Sequence, residues 1–261
     1  MDKQVFGYPE FDAAGERIIS TYDGPYRDML MDIRVFRMKK GETRRFCSAE
    51  EEIAVLLQQG RILLSWKDES RELSRKDVFT EGLWALHVCK NIEIKVEAQV
   101  DDTVILVQRT HNDRTFPSKL YSEADAPWVD VCRGKFGDTA NRHVNTIFAY
   151  HNAPYSNMVL GEIMNDRGNW SGYVPHHHPQ PEVYYFLFER PEGFGASFLG
   201  DDVYKIKDGS FSAIPGGVTH PQVTAPGYKM YTCWMIRHFD GNPWTDRIED
   251  ETYTWLNDAK F

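Results

Sequence analysis

Residues 176–182 read HHHPQPE, and residues 209–220 read GSFSAIPGGVTH. Side chains alternate between the two faces of a strand, so His176 and His178 are expected on one face and the histidine between them on the other. A short proline-containing turn then leads to Glu182, which opens the β-rich run EVYYFLF. Imidazole and carboxylate groups suit a divalent ion. The two stretches therefore predict a β-scaffold with one metal site, whose ligands are His176, His178, Glu182 and His220.

The bulk composition is that of an ordinary globular protein. The chain has 261 residues, of which 41% are apolar and 26% charged, and no run approaches the roughly 18 apolar residues of a membrane span. The N-terminal residues lack the apolar core of a secretory signal. The four cysteines are scattered without a Cys-x-x-Cys pair, which is typical of reduced thiols. These features predict a cytoplasmic protein with no membrane partner.

The net charge of −9 and the absence of any block of Lys and Arg argue against a nucleic-acid partner. A protein that binds nucleic acid needs a basic face to neutralise phosphates. We therefore expect a small-molecule partner.

The order of short β-rich runs, separated by Gly, Asp and Asn, predicts an all-β fold. Residues 58–60 read QQG between two such runs and predict a hairpin. The polar segment 110–130 is interpreted as a connection, so we assign residues 1–125 to an N-terminal domain and residues 126–261 to a C-terminal domain. In the second half the predicted strands are 143–149, 157–163, 182–188, 211–214 and 229–236.

The paired patterns His-x-His-x3-Glu and Gly-x5-Pro-x-Gly-x2-His resemble the signature of the cupin superfamily. Gly209, Pro215 and Gly217 complete the second pattern. The resemblance implies two tandem jelly-roll barrels, a bicupin, with the metal site in the C-terminal barrel. The chain departs from the full template at three turn positions, which hold Trp170, Glu189 and Thr224.

The first half carries a weak copy of the same template. Gly41 and Gly60 fit its two end glycines, whereas the three ligand positions between them hold Cys47, Ala49 and Ile53. Two similar halves are therefore expected, of which the first has lost its metal ligands.

A narrower resemblance covers most of the chain and points to the 5-deoxy-glucuronate isomerase family of inositol catabolism. A related family is the 4-deoxy-5-ketouronate isomerase of pectin breakdown, which shares the metal motif. The segments that carry the resemblance are 78–79, 133–134, 141–144, 168–171, 175–178, 182–185, 225–228 and the Asp-rich tail before Trp255.

This resemblance implies one bound zinc ion and the interconversion of an aldose uronate with its ketose. The chain lacks the acidic insertion of the inositol-pathway enzymes between the histidine pair and Glu182, so the particular uronate stays open. The metal ligands also suit manganese, iron or nickel, so a dioxygenase is an alternative. A non-catalytic sugar-acid binder is a further alternative. Exposed strand edges in the first half favour a homo-oligomer.

Strand alternation selects further residues for the interior. Tyr184 and Phe186 share the face of Glu182, and Gln222 shares the face of His220. The hydroxyl of Tyr184 is a candidate for catalysis, and Gln222 is a candidate for substrate binding. Phe186 is interpreted as core.

A uronate in an acidic protein needs a cation, preferably Arg, whose planar fork matches a carboxylate. Arg142 lies in a segment that resembles the family and is the first candidate, ahead of Arg190 and Arg237. Isomerisation also requires a group that moves a proton between neighbouring carbons. Glu162 is the candidate base.

Overall fold

The computed structural model describes residues 4–260. The described strands are β1 (Phe6–Gly7), β2 (Glu16–Ser20), β3 (Asp32–Met38), β4 (Thr43–Phe46), β5 (Glu51–Trp66), β6 (Glu69–Arg75), β7 (Trp84–Val88), β8 (Ile94–Ala98), β9 (Thr103–His111), β10 (Lys119–Ser122), β11 (Val129–Val131), β12 (Arg142–Phe148), β13 (Met158–Asn165), β14 (Trp170–Ser171), β15 (His176–His177), β16 (Glu182–Phe188), β17 (Phe194–Leu199), β18 (Asp202–Lys207), β19 (Phe211–Ile214), β20 (Gln222–Thr224), β21 (Met230–Arg237) and β22 (Ile248–Glu249). Short 3₁₀ helices span Arg27–Met29, Phe136–Asp138 and Glu251–Asn257.

The chain divides into two units. The C-terminal unit contains the residues up to Tyr8, Pro127–Asn152 and the residues from Met158 onward, and the N-terminal unit contains Pro9–Ala126 and Ala153–Asn157. A single boundary after residue 125 was predicted from the sequence. The first strand instead pairs with β19, so it is grouped with the C-terminal unit.

The C-terminal unit is built on a seven-stranded sheet of order β1-β19-β16-β21-β13-β12-β11 and a four-stranded sheet of order β14-β20-β17-β18. β16 begins at Glu182, as predicted, and strand alternation points the rings of Tyr184, Phe186 and Phe188 to one side. Tyr184 and Phe186 join a core cluster that also takes Leu199 from β17 and Ile206 from β18. Burial of each such side chain contributes about 1.5–3 kcal/mol. The core therefore holds the two sheets together.

The N-terminal unit is built around β5, which pairs with β7 and β9 in its first part and with β6 and β8 in its second. The predicted hairpin at residues 58–60 is wrong, because β5 runs unbroken through them. The register shifts between Leu57 and Gln59, and Gly60 has a φ of 102°. A Cβ at Gly60 would lie 2.7 Å from Thr103 Cα. Glycine thus permits a bulge at which the strand changes partners.

The prediction of an all-β chain is confirmed. Within residues 4–260, no helix has the length and apolar character needed to cross a bilayer. The strands predicted at 182–188 and 211–214 have the bounds of β16 and β19.

Candidate metal centre

Three neighbouring segments of the C-terminal unit bring the predicted ligands together. β15 carries His176, and the turn after it carries His178. Glu182 is the first residue of β16, and His220 lies in the connection between β19 and β20. His176, His178, Glu182 and His220 are all buried, whereas His177 is half-buried, as strand alternation requires.

Glycines let the turn that precedes His220 lie against residues 176–182, which we call the histidine segment. The N–H of Gly217 donates to the carbonyl of His178 at 2.8 Å. A Cβ on Gly216 would lie 1.8 Å from the carbonyl oxygen of Pro179, so only glycine fits there. This close approach of two backbones holds the two motifs together.

The ligand atoms of His178, Glu182 and His220 all lie within 4.8 Å of one another. The Nε2 atoms of His178 and His220 are each 3.1 Å from Glu182 Oε2. Ligands about 2.0–2.2 Å from a tetrahedral ion lie at nearly this separation from one another. His176 stands beside the group, with its ring centroid 4.9 Å from that of His220.

Backbone carbonyls orient all three imidazoles. A carbonyl only accepts a hydrogen bond, so each Nδ1 carries the proton, and each Nε2 keeps its lone pair for a metal. Such outer partners are typical of metal-binding histidines. The Nδ1 contacts are His176 with Val174 at 2.9 Å, His178 with Gln180 at 2.9 Å and His220 with Val218 at 2.7 Å.

The charges of the group suit a cation. Burial and the neighbouring His220 lower the pKa of His176 to about 3, so this imidazole is neutral at neutral pH. Burial raises the pKa of Glu182, but the neighbouring His178 and His220 outweigh this effect and lower the pKa to about 2. Neutral imidazole and ionised carboxylate are the forms that bind a metal. The residues present therefore fit a divalent ion.

A cavity of about 370 Å³ opens onto the cluster. Its apolar wall is formed by Val131, Val144, Ile163, Trp234, Ile236 and Trp244. Its polar lining, besides the cluster, includes Arg142, Thr146, Ser171, Tyr184, Asp246 and Arg247. A largely apolar pocket with a few polar groups is typical of a small-molecule site.

Arg142 lines this cavity although only 5% of its surface is exposed. Its guanidinium donates to the carbonyls of Ala140 at 3.1 Å and Tyr173 at 2.9 Å, and to Cys132 Sγ at 3.4 Å. Among the described residues, none of its hydrogen bonds or ion pairs involves a carboxylate. Burial lowers the pKa of Arg142. The cavity thus contains a buried cation that has no acidic partner in the described part of the chain.

Tyr184 is also brought to the cavity, next to Glu182. Burial and the Glu182 carboxylate raise the pKa of Tyr184 well above 10.0, so its hydroxyl keeps its proton at neutral pH. Gln222 is fully buried on β20, opposite the cavity-lining Ser171. Phe186 packs in the core, as interpreted from the sequence.

Glu162 does not reach the cavity, which corrects the sequence-based choice of base. It is the neighbour of Ile163, a lining residue, and therefore points to the opposite face of β13. There its carboxylate accepts hydrogen bonds from Tyr231 at 2.8 Å and Asn145 at 3.1 Å. Arg190 is exposed beside Glu192, and neither Arg190 nor Arg237 is among the lining residues.

The C-terminal segment contributes to the site, although no residue of it was predicted there from the sequence. β22 pairs with β15, with Glu249 opposite His176. This pairing brings Trp244, Asp246 and Arg247 to the cavity. Arg247 also makes an ion pair of 3.3 Å with Glu249. No local pattern marks these residues, because β15 and β22 are far apart in the chain.

The fold and the site define the protein as a cupin-like, all-β protein with a candidate mononuclear metal centre. Residues 8–256 match the model of the KduI/IolB family, and the chain belongs to this family.

Several known proteins are similar to this chain over most of their own length. The 5-deoxy-glucuronate isomerases of Geobacillus kaustophilus and Geobacillus thermodenitrificans are 27% and 26% identical, over 76% and 80% of this chain and 75% and 84% of theirs. The structure of an IolB-like protein from Salmonella typhimurium has a TM-score of 0.86 at 18% identity and covers 97% of this chain and 99% of that one. Oxalate decarboxylase from Lactobacillus farciminis has a TM-score of 0.67 at 10% identity, with coverages of 100% and 92%. These structures bear out the cupin-like fold.

Proposed function

We propose that the protein is a metal-dependent aldose–ketose isomerase that converts 5-deoxy-D-glucuronate to 5-dehydro-2-deoxy-D-gluconate, a reaction of inositol catabolism. Family membership and the names of the relatives support an isomerase of a uronate. The observation that carries the proposal is the cavity itself. Its lining includes the buried guanidinium of Arg142, which pairs with no carboxylate of residues 4–260, together with His176, His178 and Glu182.

The metal in this proposal is zinc, held by His176, His178, Glu182 and His220. When bound, zinc acts as a Lewis acid that polarises the substrate carbonyl and makes the adjacent C–H more acidic. The uronate carboxylate is received by Arg142. In a chain with a net charge of −9, this guanidinium offsets the repulsion of an anionic substrate.

Two cavity residues are assigned to proton handling. Tyr184 stays protonated and donates a hydrogen bond to a substrate oxygen. Asp246 is the carboxylate of the cavity lining that does not belong to the ligand set. We assign it the removal of the proton from the carbon next to the carbonyl and its return to the former carbonyl carbon. The hydroxyl proton of the neighbouring carbon passes to the former carbonyl oxygen by way of the Tyr184 hydroxyl, so that no other reactant is needed. The apolar wall limits the access of water to the enediolate.

The test is to incubate purified, zinc-loaded protein with 5-deoxy-D-glucuronate, 5-keto-4-deoxyuronate and D-glucuronate and to measure ketose by NMR. Ketose should form fastest from 5-deoxy-D-glucuronate. Chelation should abolish the reaction, and zinc should restore it. The E182Q variant should bind less metal and be inactive. If no ketose appears from any of the three uronates with metal bound, the proposal is wrong.

A further inference from the structure

Polar side chains form a continuous row across the interior of the C-terminal unit. In the four-stranded sheet, Ser171 of β14 lies opposite Gln222 of β20, and Gln222 lies opposite Ser197 of β17. Directly opposite residues of antiparallel strands point to the same face of a sheet. Ser171, Gln222 and Ser197 therefore share the interior face.

The row continues onto the seven-stranded sheet. Ser197 Oγ is 2.9 Å from the Oγ of Ser212 on β19, and Ser212 lies opposite Tyr184 of β16. The two ends of the row, Ser171 and Tyr184, both line the metal-site cavity. We call the residues Ser171, Gln222, Ser197, Ser212 and Tyr184 the polar row.

The hydrogen bonds within the polar row are incomplete. Ser197 and Ser212 bond to each other, but Gln222 Oε1 and Nε2 and Ser171 Oγ make no hydrogen bond with any described residue. Both side chains are 0% exposed. Buried polar atoms are nearly always paired, and leaving them unpaired costs stability.

The backbone gives no reason for a polar residue at these positions. Ser171 and Gln222 are held by strand pairing, which any residue with a suitable shape would also satisfy. Packing alone would favour an apolar side chain at position 222, because this position is fully buried. The unpaired groups therefore point to a ligand.

The chemistry of these groups indicates what the ligand offers. An amide presents one acceptor and a two-hydrogen donor, and a serine hydroxyl both donates and accepts. Hydroxyl groups of a sugar acid match both, because each also donates and accepts. An alkyl or aromatic acid would leave the amide unpaired.

We propose that Ser171 and Gln222 form a hydroxyl-recognition subsite, which binds the hydroxyl groups of an open-chain sugar acid whose carboxylate faces Arg142. The identity of the acid as a uronate rests on the proposed function, whereas the preference for hydroxyl groups does not. The subsite selects polyhydroxylated acids over simple alkyl acids and orients the chain of the substrate in the cavity.

Binding of two carboxylates of equal chain length tests the subsite by calorimetry with the zinc-loaded protein. D-gluconate carries hydroxyl groups along its chain, and hexanoate does not. The variants are Q222M and S171A. The control is T224V on the same strand, because the Thr224 hydroxyl already donates to the carbonyl of Tyr228 at 3.0 Å.

We expect the wild type to bind D-gluconate more tightly than hexanoate. Q222M and S171A should each weaken binding of D-gluconate by about tenfold, leave hexanoate unchanged, and raise the KM for 5-deoxy-D-glucuronate by a similar factor. T224V should not change either affinity. Unchanged D-gluconate binding in both Q222M and S171A would overturn the subsite.

Thermal unfolding gives the readout that a purely structural role would move. Because the unpaired amide is removed, Q222M should melt at the same temperature as the wild type or higher. A large drop in Tm together with equal losses for D-gluconate and hexanoate would mean that Gln222 is structural. If no uronate is isomerised but D-gluconate binding still depends on Gln222, the subsite stands and the proposed reaction fails.

Discussion

At the scale of single residues, the environment of Arg142 indicates that the site binds an anionic ligand in addition to a metal. Its guanidinium is nearly buried and, as far as the structure describes the chain, bonds to carbonyl oxygens and a thiol and to no carboxylate, so its positive charge is not neutralised. Buried charges are normally paired, so a ligand carboxylate is the natural partner.

The R142M variant tests this role. Loss of a charged hydrogen-bonding partner should raise the KM for the uronate about tenfold to hundredfold, while the zinc content of the folded protein stays at the wild-type level. R133M is the control, because Arg133 is exposed and pairs with Asp130 at 3.1 Å on the surface. Steady-state kinetics with metal analysis distinguish the two, and equal KM values for R142M and wild type would remove Arg142 from substrate binding.

The pH dependence of the metal-free protein follows from His176 and Glu182. The pKa of His176 is lowered from 6.5 to about 3, and that of Glu182 from 4.5 to about 2. Between these values the unfolded chain binds more protons than the folded one, so the free energy of unfolding falls as the pH falls.

The loss of stability should begin below pH 6.5 through His176 and increase below pH 4.5 through Glu182. Its total should be on the order of a few kcal/mol. Urea unfolding of zinc-free protein at pH 7.5 and pH 5.5 measures the first part, and H176Q should show a smaller change over the same range. Stability that rises on acidification would contradict the assignment.

Asp246 and Glu162 offer a direct comparison of two carboxylates. D246N should lower kcat about 10²-fold or more, because general base catalysis contributes about 10²–10⁴. E162Q should chiefly lower Tm, since the Glu162 carboxylate accepts hydrogen bonds from Tyr231 and Asn145 away from the cavity. Kinetics and melting curves of both variants provide the measurement. A loss of kcat in E162Q with full activity in D246N would reverse the assignment.

At the scale of the elements, the turn between β19 and β20 determines whether the two halves of the metal site meet. Position 216 touches the backbone of the histidine segment, so any Cβ there must push the two segments apart. His220 would then move relative to His178 and Glu182.

G216A should therefore weaken zinc binding at least tenfold, as judged by competition with a chelator. Gly217 provides the matched control. Its φ of 82° strains any other residue by about 1–2 kcal/mol, but a Cβ there meets nothing within 4 Å. G217A should lose stability and keep its zinc affinity. Equal zinc affinities in G216A and wild type would show that the turn does not position the ligands.

The elements also show where sequence patterns stop being informative. β16 and β19 were located correctly, because their β-rich runs are bounded by proline, glycine or charged residues. β13 is buried along its entire length, so no polar-apolar alternation reveals which face meets the cavity. The choice of Glu162 as base failed for that reason. β5 was split into a hairpin because a glycine at a bulge looks locally like a glycine at a turn.

At the scale of the whole molecule, each unit contains a buried glutamate beside a histidine, but the hydrogen-bond partners of the two glutamates differ. In the N-terminal unit, Glu52 is adjacent to Ile53, the position that matches the metal-binding glutamate of the template. The Glu52 carboxylate is bonded to protein groups on every side: His87 Nε2 at 2.8 Å, Ser156 Oγ at 2.9 Å, Asn112 Nδ2 at 3.1 Å and the Asn157 N–H at 2.6 Å. We interpret this network as structural.

Metal stoichiometry tests this interpretation. The wild type should bind one zinc ion per chain. H87A should still bind one ion but lose about 3–5 kcal/mol of stability, because one partner of a buried pair is removed. E182Q should show the opposite pattern, with little metal bound. Two ions per chain, or loss of the ion in H87A, would contradict a single centre in the C-terminal unit.

The sequence by itself determined the all-β class and predicted the metal ligands His176, His178, Glu182 and His220, because strand alternation and glycine turns act over a few residues. Arg142 was selected by the family resemblance of its segment. Only the tertiary structure decided that Trp244, Asp246 and Arg247 join the cavity, that Glu162 faces away from it, and that Ser171 and Gln222 lie side by side. Each of these outcomes depends on which distant strands pair and which sheet face turns inward, and the packing of the whole unit decides both.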